Sequence, residues 1–146
     1  MNEINFYSRD EKYGWLSNFY RCWEEVDREY YPTNEHYYQS QKTLDPLIHQ
    51  WIKEAPTPYL AMIAGRSLRP RHELREDWSD EKRCEVMLKG LRAKFKNPVL
   101  RNMLRMTDKS ILHENSPTDL FWGKKGKDML GKLIMIVRDE MGCGKS

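Results

Sequence analysis

The sequence predicts an α+β domain dominated by helices, with a few short strands in its N-terminal third. Three observations carry this reading. Extended stretches occur early, at Ile4-Asn5-Phe6-Tyr7 and, alternating loosely, across residues 21–31. A series of helix starts then follows, most of them pairing a capping side chain with a proline or an acid. The chain of 146 residues, 39% hydrophobic and 32% charged, is long enough for one domain with a real core, and it shows no internal repeat.

Each element has a local reason. Tyr13-Gly14 opens a turn into the aromatic stretch Trp15-Leu16-Ser17-Asn18-Phe19-Tyr20, where Asn18 is either a turn-former or a ligand hydrogen-bonder. Pro32 holds Tyr31 extended and Thr33 caps a helix. Asp45-Pro46 starts a second helix through Leu47, Ile48, Trp51 and Ile52. Thr57 and Pro58 begin a third, Tyr59 to Ala64, with Gly65 as its stop.

The clearest helix runs from a Ser79 cap to Phe95. Cys84, Met87, Leu88, Leu91 and Phe95 form its buried stripe, with Arg92 and Lys94 off it. Asn97-Pro98 starts a helix with Leu100, Met103 and Leu104 inward, and Ile111-Leu112 is a brief apolar element. The last helix, about Asp128 to Met141, buries Leu130, Leu133, Ile134 and Val137. Gly131 inside it costs about 1 kcal/mol relative to Ala, which implies a close helix contact or a ligand approach.

Composition narrows the function. A net charge of +3 permits a phosphate-bearing ligand without indicating a protein that coats nucleic acid. Five Trp and eight Tyr exceed what such a core needs, and rings are what a flat ligand stacks on. Cys22, Cys84 and Cys143, odd in number and without a C-x-x-C, read as reduced thiols of a cytoplasmic protein. The N-terminus lacks the marks of a signal peptide, and no run approaches the roughly 18 apolar residues of a membrane span.

The stretch around Thr33 carries the strongest chemical signal. Helical spacing sets Glu35, Tyr38, Gln39 and Lys42 on one face, so a carboxylate, an amide and an ammonium alternate with rings. The simpler reading is an acid in a first helical turn with core tyrosines. Arg66, Arg69, Arg71 and Arg75 are either a solvated loop or a phosphate clamp. Asn115 to Gly123 combines Asp119 with Phe121 and Trp122, and a lysine-rich turn, Lys124 to Lys127, follows.

Other motifs fail. Gly142-Cys143-Gly144-Lys145-Ser146 resembles the end of a phosphate loop, but Asp139 stands where that motif needs Gly; residues 142–146 read as a frayed tail. His72-Glu73 and His113-Glu114 lack a second His at zinc spacing, so no metal and no cofactor are expected. No Gly-x-Ser-x-Gly occurs, and Cys84 falls on a buried stripe.

Taken together, these pieces resemble the NADAR family, also called YbiA-like proteins. The matching segments run in order. They are Ile4 to Tyr7, Tyr13-Gly14 with Leu16 to Phe19, Pro32 to Gln39, Gly65-Arg66, Trp78 and Leu91 to Phe95. Glu114-Asn115, Asp119 to Gly123, Leu130-Gly131 and Met135 to Arg138 follow. The likeness covers roughly residues 4–141 of a single domain, 1–146.

The resemblance implies a helix-dominated α+β fold and an N-glycosidase acting on phosphoribosyl-aminopyrimidine intermediates of riboflavin synthesis or on ADP-ribosylated bases. Partners would be that small molecule or modified DNA or RNA. It also implies Glu35 and Asp119 as the acidic pair, with Asn18, Phe19, Arg66, Trp78, Arg92, Trp122 and Gly123 binding substrate. The turn after Trp122 is shorter and richer in lysine than the family's Gly-rich loop, and Asp128 stands where Asn is common. One extra residue after Trp78 leaves the family's basic position to Lys82 or Arg83, with Lys82 taken into the binding set.

Ribosyl–nitrogen cleavage passes through an oxocarbenium-like state, so it needs a nearby carboxylate, a positioned water and help for the departing nitrogen. A helix N-terminus would hold the Glu35 pKa down and keep the group ionised as base or charge stabiliser. Asp119, beside two rings, serves either as a desolvated acid or as a plain carboxylate on ribose hydroxyls. A non-catalytic module for ADP-ribose or nucleotides would use the same rings and arginines and tolerate loss of Glu35.

Overall fold

Thr33 starts the helix on which the others pack. In the computed structural model, which describes residues 2–142, its hydroxyl accepts the His36 N–H at 3.1 Å and opens α1, Asn34–Ser40. Every residue of α1 is buried, because α2 (Pro46–Lys53), α3 (Pro58–Arg66) and α4 (Asp80–Lys94) all pack on it. Asp45, Thr57 and Ser79 cap those three helices, each accepting a backbone N–H of the first turn. The expected tail falls outside the described residues except for Gly142, which adopts φ 78°.

Two pairs of strands frame the helices. In the first, β1 (Glu3–Phe6) runs parallel to β2 (Ile111–Glu114), so Phe6 lies beside Glu114. The brief apolar element at 111–112 is thus a strand, outside the N-terminal third. A hairpin of β3 (Glu24–Val26) and β4 (Glu29–Tyr31) turns through Asp27 and Arg28, both in left-handed backbone, which matches the twist of the two strands.

After α4, α5 (Pro98–Met106) follows an Asn97 cap, and α6 (Met129–Glu140) closes the core against α4 and β2. Gly131 lets α6 approach, since a side chain there would strike the Leu112 carbonyl. The main core gathers Phe6, Leu16, Tyr37, Met87, Leu91 and Ile134 among others; Ile52, Ala61, Ala64 and Leu68 form a second cluster under α2 and α3. Among the described residues no helix is long and apolar enough to cross a membrane.

Three local expectations are corrected. Gly65 lies inside α3, which continues to Arg66; its lack of a side chain makes room for Gln39. Lys94 is buried on the core face of α4, where its ammonium donates to the Ser17 carbonyl at 2.9 Å. The last helix, expected from about Asp128 to Met141, runs from Met129 to Glu140, and Asp128 before it lies in left-handed backbone and bonds His113 at 2.5 Å.

Candidate active site

The N-terminal end of α1 opens on a cavity of about 810 Å³. Glu35, Tyr38 and Gln39 line it, because positions three and four apart share a helix face, and Lys42 joins them from the turn that follows α1. The opposite wall comes from the end of β2 and the loop after it, with Glu114, Asp119 and Trp122; Arg66 and Arg83 reach in from α3 and α4.

Glu35 is only 7% exposed. Its N–H donates to the Asn18 carbonyl at 3.0 Å, and its Oε2 accepts the Gln39 amide at 2.7 Å. Burial pushes its pKa up, opposed by the Gln39 hydrogen bond and by the charges of Lys42 and Arg66. This corrects the expectation of a carboxyl held down by the helix terminus: in a seven-residue helix buried throughout, loss of water outweighs the dipole. The same burial brings Lys42 down to about 8, against the pull of Glu35.

Asn18 does not close its own turn. Ser17 does, accepting the Phe19 N–H at 3.1 Å, while the Asn18 side-chain oxygen takes the Asn34 amide at 2.8 Å and thereby ties the 17–19 loop to α1. Both Asn18 and Phe19 line the cavity. Asp119 organises the facing loop, its Oδ1 accepting the N–H groups of Phe121 and Trp122 at 2.9 and 2.8 Å.

The rings form a chain. Trp122 meets Phe121 edge-on at 4.7 Å and Tyr38 at 5.6 Å, and the Arg83 guanidinium lies 3.2 Å over the Phe121 ring. Trp78 stands behind Tyr38 at 5.6 Å instead of on the cavity wall.

Several expected binding residues are elsewhere. Lys82 pairs with Glu85 at 3.2 Å and Asp77 at 3.8 Å, and its neighbour Arg83 reaches the cavity in its place. Arg92 is exposed and holds Glu140 with two bonds at 2.9 and 2.7 Å, which raise its pKa. Arg69 is engaged by Glu73 and Arg75 by Asp77, so of the four clustered arginines Arg66 alone lines the cavity. Gly123 lies behind the wall, where a side chain would press on the Glu114 carboxylate.

Sequence reasoning missed Glu114 as a site residue. It lines the cavity with Oε2 accepting the Ser116 N–H at 3.0 Å, and burial followed by the charges of Asp119, Asp128 and Glu35 pushes it up to about 7. Only the ordered match at Glu114-Asn115 pointed to it, since no helical or strand periodicity links it to Glu35. Of the loop Tyr7 to Asp10, also on the wall, only Tyr7 fell within a matched segment. Among the described residues no group of three or more His, Cys, Asp and Glu has the arrangement to hold a metal ion.

Comparison with known proteins gives the architecture its place. Residues 5–142 match the NADAR domain. N-glycosidase YbiA of Escherichia coli is 40% identical over 97% of this chain and 90% of its own. A riboflavin biosynthesis protein of Vibrio vulnificus is 37% identical over 94% of this chain, which spans 38% of that longer protein. The NMR structure of E. coli YbiA superposes with a TM-score of 0.86 at 38% identity, covering 99% of this chain and 87% of that one. The chain therefore belongs to the NADAR family, among its YbiA-like N-glycosidases.

Proposed function

We propose that the chain hydrolyses the bond between the ribose carbon and the exocyclic nitrogen of a phosphoribosyl-aminopyrimidine from riboflavin synthesis. The observation that carries this is one cavity joining a buried carboxylate, an aromatic wall and paired cations. The name of the Vibrio relative supports the riboflavin assignment.

Glu35, with Lys42 and Arg66 favouring its ionised form, stands where a carboxylate can take a proton from attacking water and face the positive charge growing on the sugar. Trp122 and the Arg83-capped Phe121 offer stacking faces to the leaving heterocycle. Arg66 and Lys42 are the cations available to the ribose phosphate. Asp119 shapes the loop that carries Trp122 and faces the ribose. We place the reaction in the cytoplasm, in keeping with the free thiols of Cys22 and Cys84.

Chromatography with mass detection tests the reading. Release of ribose phosphate from the phosphoribosyl-aminopyrimidine supports it. Release of ADP-ribose from an ADP-ribosylated guanine in DNA, without turnover of the first substrate, makes the protein a hydrolase of modified nucleic acid. Tight binding with no turnover of either makes it a binding module.

Two variants probe the walls. Trp122→Ala should raise KM and lower kcat/KM on the order of 10-fold, the loss of one stacking surface; unchanged kinetics remove Trp122 from the binding surface. Gly65→Ala should lower kcat about 10²-fold, because the added methyl displaces Gln39 from Glu35 and shifts the carboxylate. A wild-type kcat in Gly65→Ala would show that Gln39 does not position the base.

A further inference from the structure

The cavity holds two carboxyl groups, Glu35 buried and Glu114 half-buried, with different charged neighbours, and the reading above uses one of them. Burial raises the pKa of Glu35, against the Gln39 hydrogen bond and the charges of Lys42 and Arg66, which favour its carboxylate. The charges acting on Glu114 are all negative, those of Asp119, Asp128 and Glu35. Of the other cations, Lys124 donates to Asn5 at 3.0 Å and Arg83 lies over Phe121, while Arg9 lines the same cavity. Two carboxyls with such different neighbours divide into a base and an acid.

We propose that Glu114 is the catalytic proton donor to the departing nitrogen. The assignment rests on the N-glycosidase reading and adds the acid which that reading lacks. Geometry supports Glu114 over Asp119. One oxygen of Asp119 already accepts two backbone N–H groups, an arrangement that favours the anion. Glu114 accepts one, from Ser116, and its other oxygen makes no hydrogen bond within the described residues.

The side chain is also held on a rigid base. Its residue ends β2, its carbonyl takes the Lys124 N–H at 2.7 Å, and the next residue, Asn115, bonds the Phe6 carbonyl at 2.7 Å. Gly123 leaves the space its carboxyl occupies. With a folded-state pKa pushed up to about 7, a large share of Glu114 carries its proton at neutral pH.

The step balances. The ribose C–N bond breaks and its electron pair passes to nitrogen, which takes the proton from the Glu114 carboxyl. The water oxygen bonds to the ribose carbon, and its released proton goes to Glu35. Exchange with solvent then returns Glu114 to the acid and Glu35 to the carboxylate.

The test compares wild type, Glu114→Gln and Glu35→Gln on two substrates. One is the phosphoribosyl-aminopyrimidine, whose nitrogen must be protonated to leave. The other is a nitrophenyl ribofuranoside 5-phosphate, whose phenolate leaves unprotonated. Glu114→Gln should lose on the order of 10²–10⁴-fold in kcat on the first and less than about 10-fold on the second, whereas Glu35→Gln loses heavily on both. The alkaline limb of the wild-type kcat/KM profile, near pH 7, should vanish in Glu114→Gln on the first substrate.

Equal losses of Glu114→Gln on both substrates, or no loss on the first, overturn the proposal while the N-glycosidase reading stands. A wild-type protein inactive on every ribosyl substrate overturns both. Thermal melts establish that the variant folds. Should it not, the wild type alone decides: a rate nearly independent of leaving-group basicity supports an enzyme-borne acid, and steep dependence rules one out.

Discussion

Glu35→Gln should lower kcat on the order of 10²–10⁴-fold while leaving KM within a small factor of wild type. The amide keeps the volume of the side chain, so the cavity keeps its shape. What it loses is the capacity to take a proton and to face positive charge. The stability of this variant should move the other way. Burial raises the folded-state pKa of Glu35 above its unfolded value, so the native protein holds that proton more tightly than the unfolded chain. The stability this gives is present at low pH and is lost as pH rises from the ordinary carboxylate range through the raised pKa. That loss with rising pH is a cost of burying the carboxyl, and Glu35→Gln removes it. Thermal melts from pH 4 to 8 should therefore show the variant at least as stable as wild type at pH 8, with a flatter pH dependence. A variant that keeps most of its kcat would show that Glu35 is not the base. One that melts lower at pH 8 would show that the carboxylate is structural.

Lys94→Met should destabilise the fold by about 2–3 kcal/mol. Lys94 is 1% exposed, its ammonium bonds the Ser17 carbonyl, and it is the charge that opposes the burial of Glu24, itself 3% exposed. Met fills the space of the stem but removes the charge that favours the Glu24 carboxylate, whose pKa burial already pushes up to about 8. The sign with pH follows. Burial raises the folded-state pKa of Glu24 and Lys94 brings it down, so losing Lys94 raises it further. Stability of the variant is thus highest at low pH and falls as pH rises above the ordinary carboxylate range, more steeply than in wild type. Adding Glu24→Gln to Lys94→Met should recover much of the loss at pH 8. No recovery would place the whole effect at Ser17, on the loop that leads to Asn18 and through its carbonyl to Glu35.

Lys94 also marks the limit of what local periodicity encodes. Met87, Leu91 and Lys94 are spaced four and three apart, so period alone sets all three on one face. The charge of lysine argued against the core, and no local rule announces that Glu24, on a distant hairpin, will bury opposite it. Helix starts were legible for a different reason. A cap hydrogen bond joins residues two or three apart, and Thr33, Asp45, Thr57, Ser79 and Asn97 each make theirs. The face of Glu35, Tyr38 and Gln39 was legible too, since one helix carries it, although Lys42 lies in the turn beyond its end.

What the sequence by itself determined was therefore local: the helix-dominated α+β class, the capped helix starts, the polar face of α1 and, through the ordered motifs, the family. The tertiary structure alone decided which groups share the cavity. It paired β1 with β2 across nearly the whole chain, which set Glu114 opposite α1; it gave the cavity Arg83 and left Lys82 and Arg92 to surface partners. It also reversed the direction expected for the pKa of Glu35. The physical reason is common to these outcomes: capping and periodicity act over a few residues, whereas desolvation and charge coupling depend on what packs around a group after the chain has closed.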